Sequence, residues 1–304
     1  PSSDLIVKEN RFKKLKGLII NDSLKEKSDL DGYLLLSRYD GDLKRSVVEL
    51  IDIDKNTILH KWKPDIKKIN SLSRIGKTSH WINLKKDHSP KRYRMIHPLL
   101  DETGLIFLSH SSPLVKIDEC SKIKWTSDFI FHHSIEKSYD GTYWVSEWIR
   151  PPSVKLEKYY RDESITQIDQ DGKILYRKSL MRIFLDNDMF NKIDGYNLNS
   201  ITKDPFHIND IQPVLFDGPY WKKGDLFLSM RGNSMIMLFR PKTNKVIFYK
   251  MGPWKDQHDV DILNDHQISI FNNKYHGANN IIIYDFKKNT TTVMYQNAFK
   301  KLDI

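Results

Sequence analysis

Residues 141–145 (GTYWV), 165–169 (ITQID), 171–173 (DGK) and 174–176 (ILY) contain the pattern that decides the fold. Two short runs rich in β-branched and aromatic residues are followed by a tight turn of Asp, Gly and Lys, and then by a third run. Such runs are typical of β-strands, and Asp-Gly is typical of a hairpin turn. One copy of the pattern therefore predicts an antiparallel sheet.

The same order of strand, strand, turn and strand returns along the chain, in residues 32–62, 104–125, 225–239 and 267–285. Repeats of this size are typical of β-propeller blades, in which an innermost strand precedes the others. We expect an all-β propeller forming a single domain over residues 1–304, with five blades clear in the sequence and six in the ring.

The N-terminal arm, residues 1–30, is expected to contribute to closure of the ring. The alternatives are that residues beyond Ile304 close it, or that both segments do. A pair of β-sandwiches is the alternative architecture, since it also uses short strands.

Residues 179–196 break the strand pattern. Leu180, Ile183, Phe184 and Phe190 recur at helical spacing, without the alternation of a strand. The segment predicts a helical insertion between two blades. It would either cover the ring or form a lid or wall over a pocket.

Charge and cysteine content exclude several classes of function. The net charge is +10, but the lysines are dispersed and no long arginine-rich run occurs, so we expect no nucleic-acid partner. No stretch approaches the roughly 18 apolar residues of a membrane helix. The single cysteine, Cys120, excludes an internal disulfide, and we expect it to be a buried small apolar residue. Because the chain opens at Pro1 rather than Met, we expect an upstream segment such as a signal peptide or anchor. Composition alone leaves the compartment open. We expect a periplasmic or secreted protein, with the cytoplasm as the alternative.

Histidines stand in front of four of the repeated units. His97 lies in RMIHP, His133 in FHHSI, His207 in FHIND and His258 in QHDV. The innermost strands of a propeller line its central channel, so equivalent positions converge at one end. A structural role is the simpler interpretation of any one histidine, but four in the same phase of the repeat favour a shared site.

Arg231 lies in SMRGN, inside a strand–turn–strand unit with apolar neighbours. A charge in such a place is costly unless it is paired, and arginine binds oxyanions with two parallel hydrogen bonds. We expect it to bind an anion in the histidine pocket. The alternative is a salt bridge to a carboxylate between blades.

Four motifs occur in the order FHHSIEKSYDG (131–141), FHINDI (206–211), LSMR (228–231) and QHDV (257–260). Together they resemble the bacterial arylsulfate sulfotransferases, which move a sulfuryl group between phenols without the nucleotide donor PAPS. The segments KGLI, GY and VELID near the N-terminus also resemble the entry into that family's propeller, so the resemblance spans most of the chain.

The resemblance implies roles for particular residues. In that family one histidine is transiently sulfated, a second histidine and an arginine hold the sulfuryl oxygens, and another histidine handles protons. By motif, His258 would be the nucleophile, Arg231 the arginine, and His207 with Asn209 the second histidine site. The remaining histidine would be His133, which stands directly before Ser-Ile as His258 stands before Asp-Val.

The resemblance also implies substrates, namely an aryl sulfate donor and a phenolic acceptor, and no cofactor. His132 would then contact substrate beside His133. Phe131, Phe206 and Trp254, close to the motifs in sequence, are candidates for the wall against which an aryl ring stacks, with core packing as the alternative.

Two other functions fit the same residues. One is a propeller without catalytic activity that binds a ligand or glycan, its histidines lining the channel. The other is a metal-dependent lyase or hydrolase, since Asp210 and Asp259 adjoin the histidines and carboxylates often accompany histidine at metal sites. The oligomeric state is open.

Overall fold

The computed structural model describes residues 32–75, 89–154, 156, 160–193, 203–273 and 279–301. The chain divides into two compact units, with the boundary between Phe131 and His132. Residues 1–30, expected to help close the ring, lie outside the described residues, and the single domain stays a prediction.

The chain is all-β, as predicted, and the strands of its described residues form five small antiparallel sheets with the strand order of propeller blades. The first unit contains a three-stranded and a four-stranded sheet, and the second contains three four-stranded sheets. The strands of the first two sheets are β1 Tyr33–Asp40, β2 Arg45–Asp52, β3 Thr57–Trp62, β4 Ile96–Asp101, β5 Gly104–Leu108, β6 Val115–Ile117 and β7 Ile123–Thr126. Those of the other three are β8 Ile130–Lys137, β9 Tyr143–Ile149, β10 Asp162–Ile168, β11 Ile174–Ser179, β12 Ile208–Pro213, β13 Leu226–Met230, β14 Met235–Arg240, β15 Lys245–Met251, β16 Val260–Ile262, β17 Gln267–Asn272, β18 Asn280–Asp285 and β19 Thr290–Met294.

The turn that recurs in the sequence is the outermost hairpin of the sheets, and its residue types follow from backbone geometry. Its left-handed position is occupied by Asn56, Gly172, Asn244 and Asn289, with φ between +49° and +81°. Glycine and asparagine adopt this conformation at the lowest cost. In the turn before β11, Asp169 also accepts the backbone N–H of Lys173 at 2.9 Å. The turn is therefore specified locally, which explains why it can be read from sequence.

Three short α-helices and one 3₁₀ turn complete the described elements. They are α1 Ile66–Leu72, α2 Leu180–Asp186, α3 Gln296–Lys301 and the 3₁₀ turn Phe190–Lys192. The helical insertion is thus confirmed up to residue 193. Ser179 caps α2 by accepting the N–H of Arg182, and the buried face of α2 belongs to the same core as Phe206. The helix therefore packs on the core of the second unit.

Each unit has its own apolar core. In the first unit the core includes Trp62, Tyr93 and Phe107. In the second, one cluster lies around α2 and β12–β14, and another around Trp221, Trp254 and Tyr284. Aromatic side chains contribute much of the buried area in all three clusters.

Hydrogen bonds tie together the first strands of the three sheets in the second unit. Ser134 on β8 accepts the N–H of Ile211 on β12 at 3.2 Å, and Asp210 on β12 accepts the N–H of Val260 on β16 at 3.1 Å. The ends of β8, β12 and β16 are consequently held in a fixed relation to one another.

Cys120 is exposed, so the expectation that it is buried is wrong. It lies in the turn between β6 and β7, where no apolar surroundings cover it. Among the described residues, no helix is long and apolar enough to span a bilayer.

Candidate active site

Three of the predicted histidines come together in the second unit. His133 lies in β8, His207 directly before β12, and His258 two residues before β16. The rings of His133 and His207 meet edge to face, with centroids 5.1 Å apart. His97, the fourth histidine of the repeat, lies in β4 of the first unit.

The backbone at two of these histidines is unusual. His133 and His207 have φ of +60° and +48°, in the left-handed region. This conformation costs a non-glycine residue about 1–3 kcal/mol, and such residues cluster at functional sites. The pairing of β12 with β13 also shifts register between Ile208 and Asp210. The backbone therefore departs from regular strand geometry at the point where these side chains are presented.

His258 has the properties of a neutral nucleophile. Burial lowers its pKa first, and the charges of Arg231 and His207 lower it further, against an opposing hydrogen bond to Asp256. The carbonyl of Asp256 lies 3.0 Å from Nδ1, so Nδ1 carries the hydrogen and Nε2 keeps its lone pair. A neutral imidazole with a free Nε2 can attack an electrophile near neutral pH.

Arg231 lies in the turn of its strand–turn–strand unit, as its sequence indicates, but this turn is exposed rather than surrounded by apolar neighbours. β13 ends at Met230 and β14 begins at Met235, and these two residues pair across the turn. The Arg231 side chain is 44% exposed, and its Nε donates to Asp256 at 2.8 Å. Within the described part of the chain, its two terminal nitrogens have no hydrogen-bond partner, so they remain able to bind an anion.

The backbone of this turn packs directly on the segment that carries His207. The N–H of Arg231 donates to the carbonyl of His207 at 3.0 Å, and the N–H of Gly232 to that of Phe206 at 2.7 Å. A Cβ at residue 232 would lie 2.3 Å from the carbonyl oxygen of Pro205. Glycine is therefore required here to keep Arg231 next to His207.

His207 is oriented by a carboxylate that the sequence analysis did not identify. Its Nδ1 donates to Asp204 at 2.8 Å, and Asp204 also lies 3.4 Å from Arg161. Burial alone would raise the pKa of Asp204, but the hydrogen bond from His207 and the charges of His207, Arg161 and His133 give a net lowering. Asp204 thus stays ionised and holds the ring of His207 through Nδ1.

Asn209 is buried and supports the nucleophile candidate through the backbone. Its Nδ2 donates to the carbonyl of Gln257 at 2.7 Å, directly before His258. Gln257 in turn donates to the carbonyls of Met230 and Met235, on either side of the Arg231 turn. Among the described residues, Oδ1 of Asn209 has no partner. Asn209 therefore holds Gln257, and Gln257 joins the His258 segment to the Arg231 turn. Contact of Asn209 with substrate stays a prediction.

His132 does not contact substrate as expected, because it is completely buried. Its Nδ1 lies 2.7 Å from Nδ1 of His133. Its other ring nitrogen faces Glu163 at 3.6 Å. His133, which is only half-buried, is the member of the pair that can reach a ligand.

The proposed aromatic wall is also corrected. Phe131 and Phe206 are fully buried, and Trp254 is 2% exposed. Phe206 packs against Phe184 of α2, with ring centroids 4.8 Å apart, and Trp254 donates its indole N–H to Ser234. With their faces covered by protein, these rings serve the core and offer no surface to an aryl group.

A carboxyl group follows each site histidine by three residues. These are Glu136 after His133, Asp210 after His207 and Asp261 after His258. Burial first, and then the neighbouring acidic side chains, raise the pKa of Glu136 to about 9 and that of Asp210 to about 8. The spacing was visible in the sequence, but only the structure shows the burial that raises the pKa of Glu136 and of Asp210.

The metal-enzyme alternative gains no geometric support. In the described ranges, no group of three or more His, Cys, Asp and Glu side chains is arranged to hold a metal ion. Asp210 turns to the backbone of β16 and hydrogen-bonds Val260.

Fold and site together define a protein of propeller blades with a histidine and arginine site suited to an oxyanion. The model of the arylsulfotransferase (ASST) family matches residues 100–304, more than half of the chain. The chain belongs to the arylsulfotransferase family. No curated protein matches it significantly.

Solved structures show fold likeness at low identity. A protein of unknown function from Bacteroides caccae is 9% identical, with a TM-score of 0.49, over 81% of this chain and 67% of that one. A streptogramin B lyase is 13% identical, with a TM-score of 0.45, over 81% of this chain and 61% of that one. TolB from Acinetobacter baumannii is 11% identical, with a TM-score of 0.47, over 86% of this chain and 51% of that one. Likeness at this level carries no information about activity.

Proposed function

We propose that this chain transfers a sulfuryl group from an aryl sulfate ester to a phenolic acceptor, through a sulfohistidine at His258. The observation that carries the proposal is the state of His258: a lowered pKa, Nδ1 bound to the Asp256 carbonyl, and Nε2 free beside Arg231. Membership of the arylsulfotransferase family supports an aryl substrate.

In the first half-reaction, Nε2 of His258 attacks the sulfur of the donor. The N–S bond forms, the S–O bond to the aryl group breaks, and the phenoxide leaves with the electron pair. His133 supplies the proton that the phenoxide takes up, which lowers the barrier for phenols that leave poorly. The products are free phenol and the sulfated enzyme.

In the second half-reaction, the oxygen of the acceptor phenol attacks the same sulfur. The N–S bond breaks, its electron pair returns to Nε2 of His258, and His133 takes the proton of the acceptor. Because the donor phenol has left before the acceptor reacts, the kinetics are ping-pong.

Arg231 and His207 hold the sulfuryl oxygens in both steps. The terminal nitrogens of Arg231 donate to oxygens that gain charge in the transition state, and Asp204 offsets positive charge on His207. One donor of this kind is worth about 2.7–4 kcal/mol of transition-state stabilisation.

The test is intact-mass analysis after mixing with 4-nitrophenyl sulfate in the absence of acceptor. The wild type should release 4-nitrophenol in a burst and gain the mass of one SO₃ group, and His258→Ala should do neither. His266→Ala is the matched control, because His266 lies outside the site and pairs with Asp265. An adduct in His258→Ala would reassign the nucleophile, with His207 as the next candidate. A wild type that never acquires the adduct would favour a binding propeller, and activity abolished by chelators would favour a metal enzyme.

A further inference from the structure

A chain of buried groups leads away from His133 into the protein. Nδ1 of His133 lies 2.7 Å from Nδ1 of His132, and the two rings are nearly perpendicular. One of these nitrogens must carry a hydrogen, because two lone pairs facing at that distance would repel each other. Ser146 holds His132 in place by donating to its backbone carbonyl at 2.7 Å.

This series of buried groups ends at the carboxyl group of Glu163, on β10. Oε1 of Glu163 lies 3.6 Å from Nε2 of His132, and Oε2 accepts the N–H of Ile208 at 3.2 Å. Glu163 is 1% exposed, so its carboxyl group has almost no direct contact with solvent.

The surroundings of Glu163 favour the protonated carboxyl group. Burial raises its pKa first, and the negative charge of Asp204 raises it further. Hydrogen bonds from the backbone of Ile208 and His207 and from Trp148 act in the opposite direction, without reversing the shift.

We propose that Glu163, His132 and His133 form a proton relay, in which Glu163 stores the proton that His133 exchanges with the phenol oxygen. The relay rests on the proposed sulfotransfer. It accounts for two features that direct contact with substrate does not explain: the full burial of His132 and the placement of a carboxyl group behind it.

The transfers balance in each half-reaction. When the donor phenoxide leaves, His133 releases its Nε2 proton to the phenoxide oxygen. Nδ1–H of His132 passes its proton to Nδ1 of His133, and the Glu163 carboxyl group passes its own to Nε2 of His132. Glu163 is then a carboxylate. The acceptor's proton travels the same path in reverse and restores the neutral acid. The last transfer requires the 3.6 Å contact to shorten by about half an ångström, to hydrogen-bond distance.

The first measurement uses Glu163→Gln, which keeps the side-chain shape but cannot store a proton. Burst rates are compared for 4-nitrophenyl sulfate, whose phenoxide needs no proton to leave, and for phenyl sulfate, whose phenoxide does. We expect phenyl sulfate to slow by about 100-fold, within the range of general acid catalysis, and 4-nitrophenyl sulfate by less than about tenfold. Glu147→Gln is the matched control, since Glu147 is equally buried but pairs with Arg177. Equal slowing of both donors in Glu163→Gln would overturn the relay.

The second measurement needs no sulfate donor. Nitrogen-15 NMR of the histidine rings reports which nitrogens are protonated. As pH rises and Glu163 ionises, the wild type should move hydrogen from Nδ1 to Nε2 on His132 and from Nε2 to Nδ1 on His133. Glu163→Gln should show no such exchange. A wild type without the linked exchange overturns the relay even if the variant does not fold. Linked exchange in an enzyme that forms no sulfated adduct would instead overturn the proposed function and leave the relay standing.

Discussion

Arg231 donates its Nε–H to the carboxylate of Asp256 at 2.8 Å, although 25 residues separate the two in sequence. The backbone carbonyl of the same aspartate lies 3.0 Å from Nδ1 of His258. Asp256 itself has a left-handed backbone, with φ of +49°. One residue therefore fixes both the arginine proposed to bind the sulfuryl oxygens and the ring proposed to attack the sulfur.

Asp256→Asn should separate these two duties. Asparagine tolerates the left-handed backbone and keeps the carbonyl for His258, but it removes the negative charge that raises the pKa of His258. We expect the acidic limb of the kcat/KM profile to move to lower pH and KM for the donor to rise as Arg231 loosens. Because the pair is exposed, stability should change by less than about 1 kcal/mol. An acidic limb that moves to higher pH would contradict the assignment.

Arg231→Lys should show whether the planar guanidinium is needed. Lysine keeps the charge but cannot present two parallel hydrogen-bond donors to one anion. We expect a loss of roughly 2–4 kcal/mol of transition-state stabilisation, measured as kcat/KM for 4-nitrophenyl sulfate. Turnover at the wild-type rate would show that Arg231 serves only the salt bridge to Asp256.

Gly232→Ala should displace Arg231 from His207. The added Cβ would approach the Pro205 carbonyl oxygen to 2.3 Å, and neither backbone segment can yield without breaking the hydrogen bonds at Arg231 and Gly232. We expect a lower Tm together with a raised KM for the donor. A variant with normal Tm and normal KM would show that the turn can shift freely and does not position Arg231.

Asp210→Asn should make the thermal stability of the protein less dependent on pH in the alkaline range. The folded-state pKa of Asp210 is about 8, above its ordinary value of 3.8, so the folded state holds a proton that the unfolded state has lost. The contribution of Asp210 to stability is therefore greatest below about pH 4 and is lost as pH rises towards 8. Asparagine cannot ionise, and the decline should be shallower, with Tm at pH 8 higher by about 2–4 °C for each kcal/mol recovered.

Melting curves of the wild type and Asp210→Asn between pH 4 and 9 provide the measurement. Asp171→Asn, in an exposed turn, is the control. Parallel curves for wild type and Asp210→Asn would show that Asp210 is not protonated in the folded state.

Several parts of the site could be predicted because they depend on short-range patterns. The repeated strands and their Asp–Gly/Asn turns show where each blade begins. His133, His207 and His258 therefore fall at equivalent positions of their blades. The partners of these histidines could not be predicted in the same way. Asp204 lies in the loop before β12, Glu163 lies in β10, and Asp256 lies between β15 and β16. These three residues do not share a position in the repeat, so the repeat does not identify them.

The choice between His132 and His133 shows most clearly which features of the site the sequence predicts and which depend on tertiary contacts. The sequence by itself determined an all-β chain of repeated blades, the helical segment after residue 179, and the histidines in or just before the first strands of the blades. Strand period and turn chemistry are local properties, which is why the sequence determines them. Adjacent residues of a strand point to opposite sides, but which side is buried depends on what packs there. Only the tertiary structure shows that His132 lies against Glu163 and that His133 is half-buried. It also shows that the turn of Arg231 is exposed and that Phe206 and Trp254 are buried in the core. Those outcomes depend on contacts between residues distant in sequence, whose burial and charge no local pattern encodes.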